Sequence, residues 1–323
     1  MKRRTLLELT TAMGLTTCGN LASAQQGTSM LRIICPFSAG GPHDATTRLI
    51  GTSIAKTLNR TVVVENRAGA AGLIGTHALQ NASPLGGTTL LMTFTGFVAL
   101  PYTQKGATYD PIKDFTPVAG YASTAAFFIV HGSVPAKNLA ELIAYAKTVP
   151  GKLVAATSGP GGWSDVWTKM FAKRAGIELQ LIPYRGGAEM AMALFTGEAK
   201  VLFSAYQESF TPRVKSGELR VLAIANERAS TLMPGVPPAS DTLPGFVVDG
   251  WFGLHGQKGL APAEVTVISA AVQKAVGEPS VRDRFAALYL EPAYLDPGEF
   301  AKAIAATNNS WKRITAELKL RPE

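Results

Sequence analysis

The sequence predicts an α/β protein of two domains, with a ligand cleft between them and a hinge of two chain segments. Three observations predict it. Strand-like and helix-like stretches alternate from Leu31 to the end of the chain, the pattern of helices covering parallel sheets. The segment from about Ala126 to Val248 holds a complete strand–helix series of its own, so one compact sheet cannot take all the crossovers. Two glycine-rich loops, one in each proposed domain, join a strand to a helix.

Taken in order, "LRIICPF" is a strand rich in β-branched residues, followed by a helix from Pro42 to about Leu58. "TVVVEN" is followed by a helix from about Gly72 to Gln80, then by the strand "TTLLMTF". "AAFFIVHG" opens the inner series. A helix near Leu139–Lys147, "LVAATSG", a helix from about Ser164 to Ala175, "LQLIPY" and a helix over Gly187–Phe195 follow. "AKVLFSA", a helix near Glu208–Ser216 and "LRVLAIA" complete that series. The tail reads "GWFGLHG", then helices at Ala263–Val276, Ser280–Leu288 and Pro297–Leu318. The joining segments "VAGYASTAAFF" and "FVVDGWFG" are the expected hinge, near Tyr121–Ala126 and Val248–Gly250.

The 323 residues, 46% hydrophobic and 17% charged, have the composition of a globular protein large enough for two domains. The formal charge of +8 is spread along the chain. Lys152, Lys169, Lys173, Arg174 and Arg185 are separated by apolar and small residues, so no nucleic-acid stripe is present. The basic balance suits a small anion, although surface charge also serves solvation. The first residues have a basic start, a short apolar stretch and small residues at Ala22-Ser23-Ala24, the pattern of an export signal cut after Ala24. Its removal leaves +6. Arg3-Arg4 is compatible with twin-arginine export and equally with an ordinary signal; "LTTC" at Leu15–Cys18 is a weaker, lipoprotein-like alternative. Without Cys18 only Cys35 remains, so no internal disulfide forms, and its place at the end of a strand marks a buried, inert thiol.

The loop "CPFSAGGPHDATTRLI" has a chemical use. Pro42 suits the first helical position and Gly41 the N-cap. The first-turn N–H groups are then free, the helix dipole favours an anion, and glycine admits it to the main chain. Asp44 has a plainer role open to it, stabilising the helix end. "ATSGPGGWSDVW" at Ala156–Trp167 repeats the grammar with Gly159, Gly161 and Gly162 and hydroxyls at Thr157, Ser158 and Ser164; Ser164 or Asp165 also reads as a cap. Together the loops form a clamp for one acid. "ENRAGAAGLIG" is spaced G-x-x-G-x-x-G and no acid ends the next strand, which excludes a dinucleotide fingerprint. No phosphate loop, lipase-type elbow or zinc-protease motif occurs, and no cofactor, metal site or catalytic residue is expected.

These residues also carry a family likeness. "PFSAGGPHD" (Pro36–Asp44), "VVVENRAGAAGLIGT" (Val62–Thr76), "YDPIKDFTPVA" (Tyr109–Ala119), "SVPAKNLAELIAYAKTVPGKL" (Ser133–Leu153), "IPYRGGAEM" (Ile182–Met190), "VKSGELRVLAIANERAS" (Val214–Ser230) and "GWFGLHGQKGLAPAEV" (Gly250–Val265) run in order along the mature chain. The chain resembles the Bug receptors, the extracytoplasmic solute-binding proteins of tripartite tricarboxylate transporters.

The resemblance implies a type II periplasmic-binding-protein-like α/β fold. Its expected parts are a signal peptide over 1–24, a discontinuous domain of 25–125 plus 249–323, and a second domain of 126–248. It implies a periplasmic monomer that is not an enzyme and that closes on a small organic acid. Uptake through the membrane subunits of a transporter and signalling to a sensor protein are both open; a secreted hydrolase using Ser164 or Asp165 is the remaining rival. The implied ligand contacts are Phe37, Ser38, Ala39, Gly40 and Gly41 of the first loop and Ser158, Gly159, Gly161, Gly162, Trp163 and Ser164 of the second. Asp44 matches the family's loop aspartate, a residue that orders the loop more than it touches ligand. This chain departs from the family pattern at Trp163-Ser164-Asp165, at Thr95-Gly96-Phe97 and at Phe203-Ser204-Ala205. Thr95, Phe97, Ser204 and Ala205 therefore join the site, with polar groups lost and Trp163 and Phe97 gained. If these two rings face the cleft, an aromatic or partly apolar monocarboxylate fits better than citrate or aspartate.

Overall fold

A computed structural model describes residues 30–323 except 84–86, 185, 227, 228, 231, 249, 321 and 323. The expected export signal lies outside the described residues.

Two sheets carry the fold. The first has six strands in the order β11-β4-β10-β3-β1-β2: β1 (Leu31–Cys35), β2 (Val62–Asn66), β3 (Thr88–Phe94), β4 (Phe115–Thr124), β10 (Gly250–Gln257) and β11 (Leu290–Leu295). The second has five, in the order β7-β6-β8-β5-β9: β5 (Ala126–His131), β6 (Val154–Thr157), β7 (Gln180–Pro183), β8 (Val201–Ala205) and β9 (Leu219–Ile224). Helices α1 (Pro42–Leu58), α2 (Leu73–Gln80), α3 (Thr95–Thr103), α8 (Pro262–Gly277), α9 (Pro279–Ala287) and α10 (Pro297–Leu318) belong with the first sheet. Helices α4 (Leu139–Thr148), α5 (Trp163–Ala175), α6 (Gly187–Phe195) and α7 (Thr211–Ser216) belong with the second. No helix among the described residues is long and apolar enough to cross a membrane.

The expectation of parallel sheets holds only at the strands next to the two loops. β1 pairs in parallel with β2 and β3, and β6 with β7 and β8. β10 is antiparallel to β3 and β4, β11 to β4, and β5 to β8 and β9. The sheets are mixed because the chain leaves the first and returns to it. β4 runs out of the first sheet and, after Ala125 alone, becomes β5 of the second. The return comes at Val248, whose N–H bonds the Ala225 carbonyl at 2.6 Å, just before β10 pairs with β4 at Gly250–Thr124. All of "VAGYASTAAFF" but Ala125 thus lies in paired strands, β4 and β5, where a linker was expected.

Small residues make β4 and β10 possible. A side chain at Gly253 would stand 2.2 Å from the Phe300 ring and 2.8 Å from the Ala119 carbonyl, so α10 lies directly on these strands. α10 is a long helix with a capping box, Asp296 and Glu299 each bonding the other's main chain. Its first half places Phe300 and Ile304 in a core of the first sheet, around Ile34, Leu91 and Phe97. Its second half places Trp311 and Ile314 in the core of the second, around Phe128, Phe171 and Phe203. Tyr289, held at φ 55°, reaches the same way: its ring lies 4.1 Å from that of Tyr206.

Candidate ligand-binding site

The two loops leave their sheets at the C-terminal ends of parallel strands, β1 and β6, the edge where an open α/β sheet presents a crevice. In the first loop Gly40 sits at φ 84° and Gly41 caps α1 with extended backbone, φ −82° and ψ 171°. In the second, Gly161 sits at φ 69° and Gly162 caps α5 with φ −69° and ψ 159°. The fastening is the same in each. The Gly40 N–H donates to Asp44 Oδ2 at 2.9 Å, and Arg48 Nε binds the same carboxylate at 3.1 Å. The Gly161 N–H donates to Asp165 Oδ2 at 3.0 Å, and Lys169 Nζ binds that oxygen at 2.7 Å. Both loops read Gly-x3-Asp-x3-cation. The left-handed glycine turns its own amide into the carboxylate, and each aspartate is buried.

Asp44 is therefore a fastener of its loop. Asn66, at the end of β2, adds its Nδ2 to Asp44 Oδ1 at 2.8 Å and to the Phe37 carbonyl at 3.0 Å, while Arg48 reaches Asn66 Oδ1 at 2.7 Å. Burial raises the Asp44 carboxyl pKa, but the bonds from Arg48, Gly40 and Asn66 outweigh it and hold the group below its ordinary value. Ser164 is likewise buried, with its Oγ accepting from the Ser158 N–H at 2.8 Å and donating to Ser158 Oγ at 3.1 Å. Its other partner is Met190 Sδ at 3.7 Å. This gives it the environment of a loop tie, and among the described residues its hydroxyl bonds no base that could activate it as a nucleophile. Cys35 is buried, and desolvation pushes its thiol pKa up.

What the loops leave open is main chain. Ser38, Ala39 and Gly40 are exposed and Phe37 and Gly41 half-buried; across the second loop Ser158 is exposed and Gly159, Gly161 and Gly162 half-buried. A Cβ at Gly41 would meet nothing nearer than the Ser38 carbonyl at 3.8 Å, so space exists beside the N-cap amide. The loops stand at opposite ends of α3. Phe94, which caps its start, lies 5.1 Å from the Phe37 ring, and a Cβ at Gly161 would lie 3.1 Å from Thr103 Cβ at its end. Nine helical residues span about 13 Å, room for a small acid between them.

The remaining expected residues divide. Ala205 is exposed at the end of β8 beside the second loop; Ser204 is buried, its hydroxyl turned to the Ala205 carbonyl at 2.9 Å. Trp163 is half-buried as the first residue of α5 and lies parallel to Phe203, 5.6 Å away with 5° between planes. Thr95 is buried. Phe97 corrects the expectation outright: it is 2% exposed and packs between Tyr109, Phe115 and His255, below the surface of the cleft. The helix starts at Thr95, so residues 94 and 97 point to different sides, and the ring beside the first loop is that of Phe94. Phe94, His43, Asn66 and Thr103 are the residues here that sequence reasoning missed. The glycine at 96 was the available signal, because a Cβ there would strike the Phe94 ring at 2.2 Å.

Residues 46–320 match the family model for the tripartite tricarboxylate transporter family receptor. A relative from Cupriavidus necator, the "UPF0065 protein in gbd 5'region", is 32% identical over 90% of this chain and 88% of its own. BugT of Bordetella pertussis is 28% identical over 89% of this chain and 88% of its own. Among solved structures, R. palustris Rpa4515 with adipate superposes with a TM-score of 0.82 at 25% identity, covering 92% of this chain and 100% of that one. MatC from Rhodopseudomonas palustris with bound malate does so with 0.76 at 27% identity, covering 88% and 98%.

Proposed function

Because the chain belongs to the tripartite tricarboxylate transporter receptor family, a family of periplasmic solute-binding proteins, we propose that it captures a small organic carboxylate between its two glycine loops and presents it to the membrane subunits of such a transporter. The observation that carries this reading is the duplicated Gly-x3-Asp-x3-cation loop. Each copy aims an open helix N-terminus at the space between the sheets and pairs the cation one helical turn after its aspartate with that aspartate. The anion is then met by main-chain dipoles from both sides, in the manner of helix N-terminal anion sites. The relatives with adipate and malate support a carboxylate as the ligand class.

In this reading the units are 25–125 with 249–323, and 126–248, moving about Ala125 and the Val248–Gly250 return, with the second half of α10 crossing to pack Trp311 and Ile314 in the core of the second. Closure is driven by contacts that each loop makes only when both meet the ligand. Export with cleavage near Ala24 delivers the receptor to the periplasm.

The test is a thermal-shift screen of the purified protein against aliphatic and aromatic carboxylates, followed by calorimetry with any acid that raises the melting point. Gly41→Val is the diagnostic variant. Its backbone angle accepts a β-branched residue and its Cβ meets only the Ser38 carbonyl, at 3.8 Å, so the fold is kept while the side chain blocks the N-cap amide. Affinity at the wild-type level in Gly41→Val would overturn the clamp.

A further inference from the structure

Beside the first loop, three rings from three different elements meet. Phe37, from the loop itself, stacks on His43 of the first turn of α1, with 4.0 Å between centroids and 27° between planes. Phe94, from the end of β3, approaches both edge-on, at 5.1 Å from Phe37 and 5.3 Å from His43. Phe252 lies buried beneath His43 at 5.0 Å. Phe37, His43 and Phe94 are each half-buried. Phe37 and His43 belong to none of the buried hydrophobic clusters.

The cluster is built. The Phe94 ring folds back over the start of α3, a position that any side chain at residue 96 would obstruct at 2.2 Å. His43 gives the cluster its one polar edge. Among the described residues no protein group hydrogen-bonds either ring nitrogen, and desolvation lowers its pKa to about 4, so at neutral pH the imidazole is uncharged. The cations of the two loops stand apart from it, Arg48 on Asp44 and Asn66, Lys169 on Asp165.

We propose that Phe37, His43 and Phe94 form the subsite for the body of the ligand, and that the receptor takes a monocarboxylate bearing a flat aromatic ring in preference to an aliphatic diacid. The inference rests on the carboxylate reading above. With the carboxylate on the loop amides, the ligand's ring lies against Phe37 and Phe94 in the offset or edge-on geometry that aromatic pairs favour. A polar ring substituent, such as a hydroxyl, has the His43 imidazole to bond. A second carboxylate at the same place gives up its hydration against two phenyl rings and a neutral imidazole, with no charge to replace it.

The experiment is calorimetric titration of the purified protein with benzoate, 4-hydroxybenzoate, adipate and malate. One or both aromatic acids are expected to bind about tenfold or more tightly than either diacid, the worth of one or two ring contacts. Phe94→Leu, which keeps an apolar side chain but no ring, is expected to weaken the aromatic acids about fivefold and the diacids clearly less. Tighter binding of adipate or malate than of both aromatic acids overturns this proposal and leaves the carboxylate reading standing; so does an equal loss for all four in Phe94→Leu. Binding of none of the four overturns both. Should Phe94→Leu not fold, the wild-type ranking alone decides.

Discussion

Asp44→Asn is the substitution that tests the loop architecture most directly. It changes one atom and almost no volume, so whatever it costs comes from hydrogen bonding. Both carboxylate oxygens accept: Oδ2 from the Gly40 N–H at 2.9 Å and Oδ1 from Asn66 Nδ2 at 2.8 Å, with Arg48 Nε 3.0 Å from Oδ1 and 3.1 Å from Oδ2. Asparagine has one acceptor oxygen. Either way round, its NH2 faces a donor, and the bond that survives loses its charge. The Arg48 pair contributes little, since that side chain is 48% exposed. The loss of one charge-assisted bond, the weakening of another and a buried donor left facing a donor come to about 2–3 kcal/mol. For a chain of this size that lowers the melting temperature by roughly 3–5 °C. Differential scanning calorimetry at pH 7 reads it directly, and titration with a binding carboxylate should show weaker affinity in the same variant. A melting point within a degree of wild type would refute the claim that this carboxylate holds the loop.

Three further outcomes follow from the same geometry. Gly161→Ala forces alanine to φ 69° and sets a methyl 3.1 Å from Thr103 Cβ, where the two units touch; calorimetry should show binding weakened about three- to tenfold, and unchanged affinity would place this contact outside the bound form. Phe97→Ala should cost about 3–5 kcal/mol in urea unfolding while leaving the ranking of ligands intact, since the ring is core; a changed ranking would return Phe97 to the cleft. His255 is fully buried, bonded to Thr93 at 2.7 Å, and desolvation lowers its pKa to about 3. Its folded pKa lies below its unfolded value near 6.5, so the stability is complete above that pH and falls by up to about 1.4 kcal/mol per unit as the solution is acidified. Melting curves from pH 7 to 4.5 should show that decline, reduced in His255→Asn; equal slopes in the two proteins would contradict it.

The glycine loops were legible because their signals are local: Gly-Gly, a helix-starting proline or tryptophan, and an aspartate all within a few residues. Most of the strands were legible for the same reason, as aliphatic runs. β4 was not, because its middle is Ala119-Gly120-Tyr121-Ala122. Glycine stands at 120 because Leu295 would sit 3.1 Å from any side chain there, a contact between residues far apart in the chain. α3 was hidden by Pro101 inside it and by its start directly at a strand end. That junction decided the one clear error at the site. Whether Phe94 or Phe97 meets the first loop depends on the residue at which extended backbone turns helical, and spacing alone does not say. The Asn66 tie to Asp44 joins the end of β2 to the first turn of the helix that follows β1, which only the pairing of those two strands reveals.

Helix α10 bears on how the protein comes apart. Its two halves are buried in different cores, with Phe300 under the first sheet and Trp311 under the second. Neither sheet can lose its fold without stripping a wall from the other, so the two units share one element and gain cooperativity from it. Heating should give a single transition, and an acid bound between the loops should raise that transition as a whole.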